Sequence, residues 1–219
     1  MIVENIIENS LFPLKSSDSV DFALETMLSL QISALPVVDN EQIIGFIESS
    51  SLIGLNPKTK IKGILKNNLG WIINEQHHYS EALKRFSEFK ADCLAVVDAE
   101  NKFKGIVSKS SLINFIAQSY TLTAEGSVIC LEMVARNYSL NELNRIIENE
   151  DAKILGVNIF NIPDSSRIMI NIKLNTVFTD RIILSLQRFG YEITATFYNN
   201  HDISDSDNRY KSLLKYLEF

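Results

Sequence analysis

The amino-acid sequence predicts an α+β protein with a tandem pair of like units over residues 1–118 and a βαββαβ, ferredoxin-like domain over residues 127–198. Three observations carry that prediction. A stretch of about 35 residues recurs in the first half, and two copies of one supersecondary unit bury what one copy leaves exposed. In the second half, apolar residues change from helical spacing to strict alternation in an ordered sequence of six segments. A polar stretch, Asn199 to Asp207, then closes the second segment.

The repeat begins at Ser19 and returns at His78. Ala23-Leu24 aligns with Ala82-Leu83, Met27 with Phe86, Leu30 with Phe89, and Val37-Val38-Asp39 with Val96-Val97-Asp98, at a spacing of 59 residues. One extra residue in the turn makes the spacing 60, so that Gly45 matches Gly105 and Ser51-Leu52-Ile53 matches Ser111-Leu112-Ile113. Each copy reads as helix, strand, turn, strand, helix, with repeat one over about 12–54 and repeat two over about 71–116. Ser19 is placed to cap the first helix, and Ala23, Met27 and Leu30 form its apolar stripe. Leu35 to Val38 and Ile43 to Ile47 are strand-like around the polar turn Asp39-Asn40-Glu41, and Ser49 to Ser51 start a second helix.

This pattern resembles the cystathionine-β-synthase (CBS) domain pair, on the "LPVVD" strand and turn, the "GFIESSSLI" and "GIVSKSSLI" segments and the helix ahead of them in both repeats. The resemblance implies a regulatory, non-catalytic role: an adenosine-type ligand binds between the repeats, and its occupancy is passed to a partner. AMP, ATP or S-adenosylmethionine are the ligands it suggests, with no required cofactor, and the assembly it suggests is a homodimer built on apolar positions such as Leu52, Ile53, Leu112 and Ile113.

The family's ligand motif reads Gly-x-x-Ser/Thr-x-x-Asp, with the hydroxyl on phosphate and the carboxylate on the ribose diol. Here Gly45 is followed by Glu48 and Ser51, and Gly105 by Ser108 and Ser111. The Asp is replaced in both repeats and the hydroxyl survives only in the second. Any nucleotide is therefore expected in the second cleft, near Trp71 and Ser108 with Ser111 at the Asp position, because Glu48 places a negative charge in the first. For Ser108 the competing role is a helix N-cap. Trp71 aligns with Phe12 ahead of each repeat helix, where an aromatic either lines an adenine-sized pocket or packs in the core. Lys58, Lys60, Lys62 and Lys66 form a basic linker between repeats that reads either as a phosphate contact or, by preference, as a solvated connector.

In the second half, Val128–Val134 is strand-like, and Leu140, Leu143, Ile146 and Ile147 form a helical stripe behind a Ser139 cap. Leu155, Val157 and Ile159 alternate, as do Ile168, Ile170, Ile172 and Leu174 beyond the Pro163–Ser166 turn. Ile182, Ile183, Leu186 and Phe189 make a helix ending at Gly190, and Ile193, Ala195 and Phe197 make the last strand. Behind a CBS pair this looks like an ACT domain, and the whole is similar to acetoin-utilisation-type bacterial CBS–ACT proteins. The ACT family's Pro-Gly loop is replaced by Ala135-Arg136-Asn137-Tyr138-Ser139, so Arg136 and Asn137 read either as contacts to an amino-acid carboxylate or as an ordinary polar loop. After the polar linker, Tyr210, Leu213, Leu214 and Leu217 have the spacing of an amphipathic helix, expected to dock on its own chain or a dimer mate.

Three functions follow: a ligand-sensing regulator, a constitutive dimeric scaffold with degenerate pockets, or an amino-acid sensor acting through the ACT-like domain. The net charge of -6 and the lack of stacking aromatics on Ile168–Leu174 argue against nucleic acid. His77-His78 has no third ligand at metal-site spacing, and no nucleophile motif is present. Cys93 and Cys130 have no CxxC-type spacing and read as buried thiols in a reducing compartment. With no secretory pattern at the N-terminus and no apolar run of about 18 residues, the expected location is cytoplasmic, away from membranes.

Overall fold

The computed structural model describes residues 1–199 and divides into two compact units, Met1–Gln118 and Ser119–Phe219. Beyond Asn199, the linker and helix expected over 199–219 lie outside the described residues.

In the first unit, α1 (Val20–Leu30), β1 (Ala34–Asp39) and β2 (Gln42–Glu48) make up the first repeat. The second repeat has β3 (Ile72–Asn74), α2 (Tyr79–Phe89), β4 (Cys93–Val97), β5 (Phe103–Ser108) and α3 (Lys109–Ala117). The Ser19 hydroxyl accepts from the Phe22 N–H and caps α1, while Val20, Ala23 and Met27 are buried. The repeats agree in irregular details as well as regular ones. α1 and α2 both end on a left-handed residue, Gln31 and Lys90, one repeat length apart. The ladders β1–β2 and β4–β5 are antiparallel, and both shift register at matching places, Val37/Val38 and Val96/Val97. Leu14 pairs in parallel with Val37 as Ile73 does with Val96.

Equivalent residues also touch one another. Gln42 bridges to Lys102, the Cys93 thiol approaches the Ala34 carbonyl at 3.1 Å, and the Ser33 hydroxyl bonds the Asp92 carboxylate. The Gln42–Lys102 bridge is antiparallel, and equivalent residues that pair in opposite directions lie about a local two-fold axis, so the two copies are related by pseudo-two-fold symmetry.

Each repeat is completed by the segment that precedes the other. The N-terminal strap lies on the second repeat: Val3 N–H donates to His77 O at 2.9 Å, and Glu8 N–H to Ile106 O at 2.9 Å. The inter-repeat segment lies on the first: Val20 N–H donates to Thr59 O, and Phe46 and Lys66 exchange backbone bonds, all at 2.9 Å. Val3, Ile6 and Ile61 are buried as a result. Each such side chain contributes about 1.5–3 kcal/mol by leaving water. The basic stretch keeps Lys58, Lys60, Lys62 and Lys66 exposed, as expected of a solvated connector, but it also packs on the first repeat through buried Ile61 and half-buried Ile64 and Leu65. Two crossings require glycine. A Cβ on Gly105 would lie 2.4 Å from Ile7 Cγ2, and one on Gly45 would lie 3.1 Å from both Leu65 Cβ and Lys66 O.

Two expectations are corrected here. The first repeat has no second helix: Ser49–Ser51 forms one 3-10 turn, and the chain leaves the helical path at Gly54, with φ +81, ahead of Pro57. The second repeat, with Asn114 to Ala117 in place of those breakers, carries α3 to full length. Leu52 and Leu112, expected on a dimer surface, are buried within the unit, whereas their neighbours Ile53 and Ile113 are 76% and 63% exposed.

The second unit begins with the short α4 (Tyr120–Thr123) and continues through β6 (Gly126–Val134), α5 (Leu140–Glu148), β7 (Ile154–Asn161), β8 (Arg167–Leu174), α6 (Asp180–Arg188) and β9 (Glu192–Asn199). The strand order is β7-β8-β6-β9, all antiparallel. This is the split βαββαβ connectivity, with the first and third strands at the centre. Ile129, Leu131, Ile168, Ile170, Ile172 and Leu174 alternate onto one face and pack under Leu143, Ile146, Ile147, Ile182 and Leu186 of the two helices.

Candidate functional site

The second-repeat motif residues meet at the junction of β5 and α3. The β5 backbone ends at Ser108, extended at φ -94 and ψ 163, and α3 begins on the next residue. The Ser108 hydroxyl accepts from the Ser111 N–H at 3.0 Å, while the Ser111 hydroxyl accepts from the Ser108 N–H at 3.0 Å. This reciprocal capping box satisfies two N–H groups that a helix start otherwise leaves free. The Ser108 proton goes to Glu8 Oε2 at 2.7 Å, and Ser108 is 6% exposed. Glu8 is positioned by its own backbone bond to Ile106, and its other oxygen accepts from Ser10 at 2.9 Å. Sequence reasoning did not single out Glu8, which lies 100 residues from Ser108 and meets it only because the strap crosses to the other repeat.

Beside this contact lies a groove of about 450 Å³ between the strap and α3. Asn5, Asn9, Ser111, Asn114 and Gln118 supply amide and hydroxyl groups, with Ile6, Ile7 and Phe115 as apolar wall. Glu8 is its one charged lining residue.

The pseudo-equivalent place in the first repeat has the reverse arrangement. There the strand-end residue is the carboxylate Glu48, and the strap supplies Lys66, whose Nζ lies 3.1 Å from Glu48 Oε1. Ser51 donates to the Glu48 carbonyl at 2.6 Å. Both motif positions are thus occupied by internal partners and, among the described residues, a balancing cation is present only in the first repeat.

The aligned aromatics differ in environment. Trp71 is partly buried and meets the Phe46 ring edge-on at 5.3 Å between centroids, whereas Phe12 is 65% exposed. Neither lines the groove. Near the pseudo-axis, the Ser33 hydrogen bond and then Lys109, at 3.0 Å, hold the Asp92 carboxyl below its ordinary value against the opposing effect of burial. Burial pushes the Cys93 thiol up to about 12, which leaves it un-ionised and unreactive.

In the second unit, Asn137 lines a separate cavity of about 280 Å³ together with Glu132, Glu142, Arg167, Tyr191 and Glu192. Arg167 is engaged by Glu132 at 2.6 Å and by Glu192. Burial, then the Glu142 carboxylate, pushes the Tyr191 phenol up to about 12. Arg136 is exposed and does not line that cavity, so the structure brings only one of the two loop residues to it. Among the described residues no cluster of His, Cys, Asp and Glu is arranged to hold a metal ion, and no helix is long and apolar enough to cross a membrane.

The CBS domain model matches residues 3–56 and 72–118. Among curated proteins, the chain is 27% identical over 112 residues to inosine-5'-monophosphate dehydrogenase of Methanocaldococcus jannaschii, covering 50% of this chain and 22% of that protein. An uncharacterized protein of the same organism is 28% identical over 91 residues, covering 41% of this chain and 30% of that one. The chain therefore spans less than a third of either relative's length. Among solved structures, a CBS domain pair/ACT domain protein from Thermotoga maritima aligns with 22% identity and a TM-score of 0.49 over 54% of this chain and 98% of that one. CBSX2 in complex with AMP aligns with 24% identity and a TM-score of 0.46 over 53% and 96%. With the model matching both repeats, and the repeats folding as pseudo-symmetric halves of one unit, the first half of this chain is a tandem pair of CBS domains.

Proposed function

We propose that this chain is a non-catalytic regulatory module that binds an adenosine-type small molecule in its CBS pair and changes the activity of a protein partner. The observation that carries the reading is the groove between the N-terminal strap and α3, where two elements from opposite ends of the pair meet over Ser108 and Ser111. A ligand seated there touches both the strap and α3, so its binding energy is coupled to how the two repeats pack. CBSX2, a structural neighbour, holds AMP. The chain acts as a homodimer, with Ile53 and Ile113 on the surface it buries. The second unit is an ACT-like domain.

The test is thermal-shift and calorimetric titration of the full chain with adenosine, AMP, ATP, S-adenosylmethionine and a set of amino acids. Expected is saturable binding of one adenosine-type compound, with stabilisation of about 4 kcal/mol at a thousandfold excess over Kd. Binding of an amino acid alone moves the sensing role to the second unit. Silence from every compound supports a second reading, a constitutive dimeric scaffold, which the internal engagement of Ser108 by Glu8 favours.

A further inference from the structure

From the charge of the strap–α3 groove we infer that its ligand carries no phosphate: the second repeat accepts an uncharged nucleoside or one bearing a cationic group, and Glu8 is the residue that sets this preference. The inference rests on the functional reading above and reverses the sequence-based expectation that phosphate goes to Ser108. Three features of the site support it.

The hydroxyl that would receive a phosphate oxygen is already donating its only proton to Glu8 Oε2 at 2.7 Å, and one of its two lone pairs is taken by the Ser111 N–H. A phosphate arriving there must break a charge-assisted hydrogen bond and then lie beside the carboxylate it displaced. Glu8 is held beside Ser108 by its backbone bond to Ile106 at 2.9 Å, by Ile7 packed over Gly105, and by the Ser10 hydroxyl that donates to its other oxygen.

Among the described residues, no cation in the groove offsets that charge. The groove is lined by amide, hydroxyl and apolar groups and by no lysine or arginine. The nearest basic residue in sequence, Lys109, is paired with Asp92 at 3.0 Å. In the first repeat the corresponding carboxylate, Glu48, is balanced by Lys66 from the equivalent strap position. The two halves share a backbone and differ in charge at the same two places, which distinguishes their ligands.

The remaining lining suits a nucleoside. Asn5, Asn9, Asn114 and Gln118 offer paired donors and acceptors to a base edge or sugar hydroxyls, and Phe115 with Ile7 offers an apolar wall. Glu8 then accepts from a sugar hydroxyl or pairs with an ammonium or sulfonium group, while like charge excludes a phosphate.

The experiment is calorimetric titration of the full chain with adenosine, S-adenosylmethionine, AMP and ATP, on wild type, Glu8→Gln and Lys66→Gln. Glu8→Gln retains an acceptor for Ser108 and removes only the charge; the melting temperature of each variant checks the fold. Wild type should bind adenosine or S-adenosylmethionine at least about tenfold more tightly than AMP, and Glu8→Gln should shrink that ratio severalfold. Lys66→Gln should leave the ratio unchanged. AMP binding as tightly as adenosine, with a ratio that Glu8→Gln does not move, overturns the inference and leaves the adenosine-sensing reading standing. A ratio that moves with Lys66→Gln instead places the ligand in the first repeat and also overturns it. Failure of all four compounds on all three proteins refutes the adenosine-sensing reading itself, and this inference with it.

Discussion

Ser108 and Asp92 show how single residues of this chain are committed to internal work. Ser108 caps α3 through one lone pair and donates its proton to Glu8, so the family's phosphate position is here a structural tie between strap and helix. Asp92 binds its pseudo-symmetry mate Ser33 and Lys109, and these contacts hold its carboxyl below the ordinary value of 3.8. A carboxyl depressed in the folded state adds stability above its unfolded value, and that stability disappears as pH falls through the folded one. The urea midpoint of wild type should therefore exceed that of Asp92→Asn at neutral pH, and the gap should narrow as pH falls below the unfolded value of 3.8. A gap that is constant down to acid pH would show that the pair contributes through shape and not through charge.

At the scale of elements, the straps decide how each repeat is finished. A lone β1–β2 hairpin or β4–β5 hairpin is too small to stand in water, and each gains a bordering segment from elsewhere in the chain. The glycines at 45 and 105 make that crossing possible, one under Leu65 and the other under Ile7. Gly105→Ala places a methyl 2.4 Å from Ile7 Cγ2 and should push the strap outward. The expected cost is about 1–3 kcal/mol in chemical denaturation, with faster amide exchange at Val3 and Glu8 than in the strands beneath. Exchange that is unchanged at those two positions would mean that Ile7 repacks without moving the strap.

For the molecule as a whole, the first unit presents equivalent apolar side chains, Ile53 and Ile113, to solvent at pseudo-symmetric places. Two-fold association buries such a matched pair from each copy. Sedimentation at low micromolar concentration should give a dimer for the wild type and a monomer for the double variant Ile53→Asp, Ile113→Asp. The interface should exceed roughly 2,000 Å² of total buried area. A wild-type monomer would show that these positions are ordinary exposed isoleucines, and would remove the homodimer from the functional reading.

Local periodicity was enough to read the repeat, the caps at Ser19 and Ser139 and the six alternating segments of the second unit, because helix and strand spacing and cap chemistry are properties of neighbouring residues. The failed second helix of the first repeat was also written locally, in Gly54 and Pro57, but the strength of the repeat pattern masked it. What the sequence could not reveal is which segment lies on which repeat. The strap exchange brings Glu8 to Ser108 and Lys66 to Glu48 across separations of 100 and 18 residues, and no periodicity encodes a pairing between one segment and the other half's strand. The charge of each cleft is set by those pairings. The residue types at 48 and 108 were legible in the sequence, but the side chains that neutralise or occupy them were decided only by the path of the chain through the pseudo-two-fold fold.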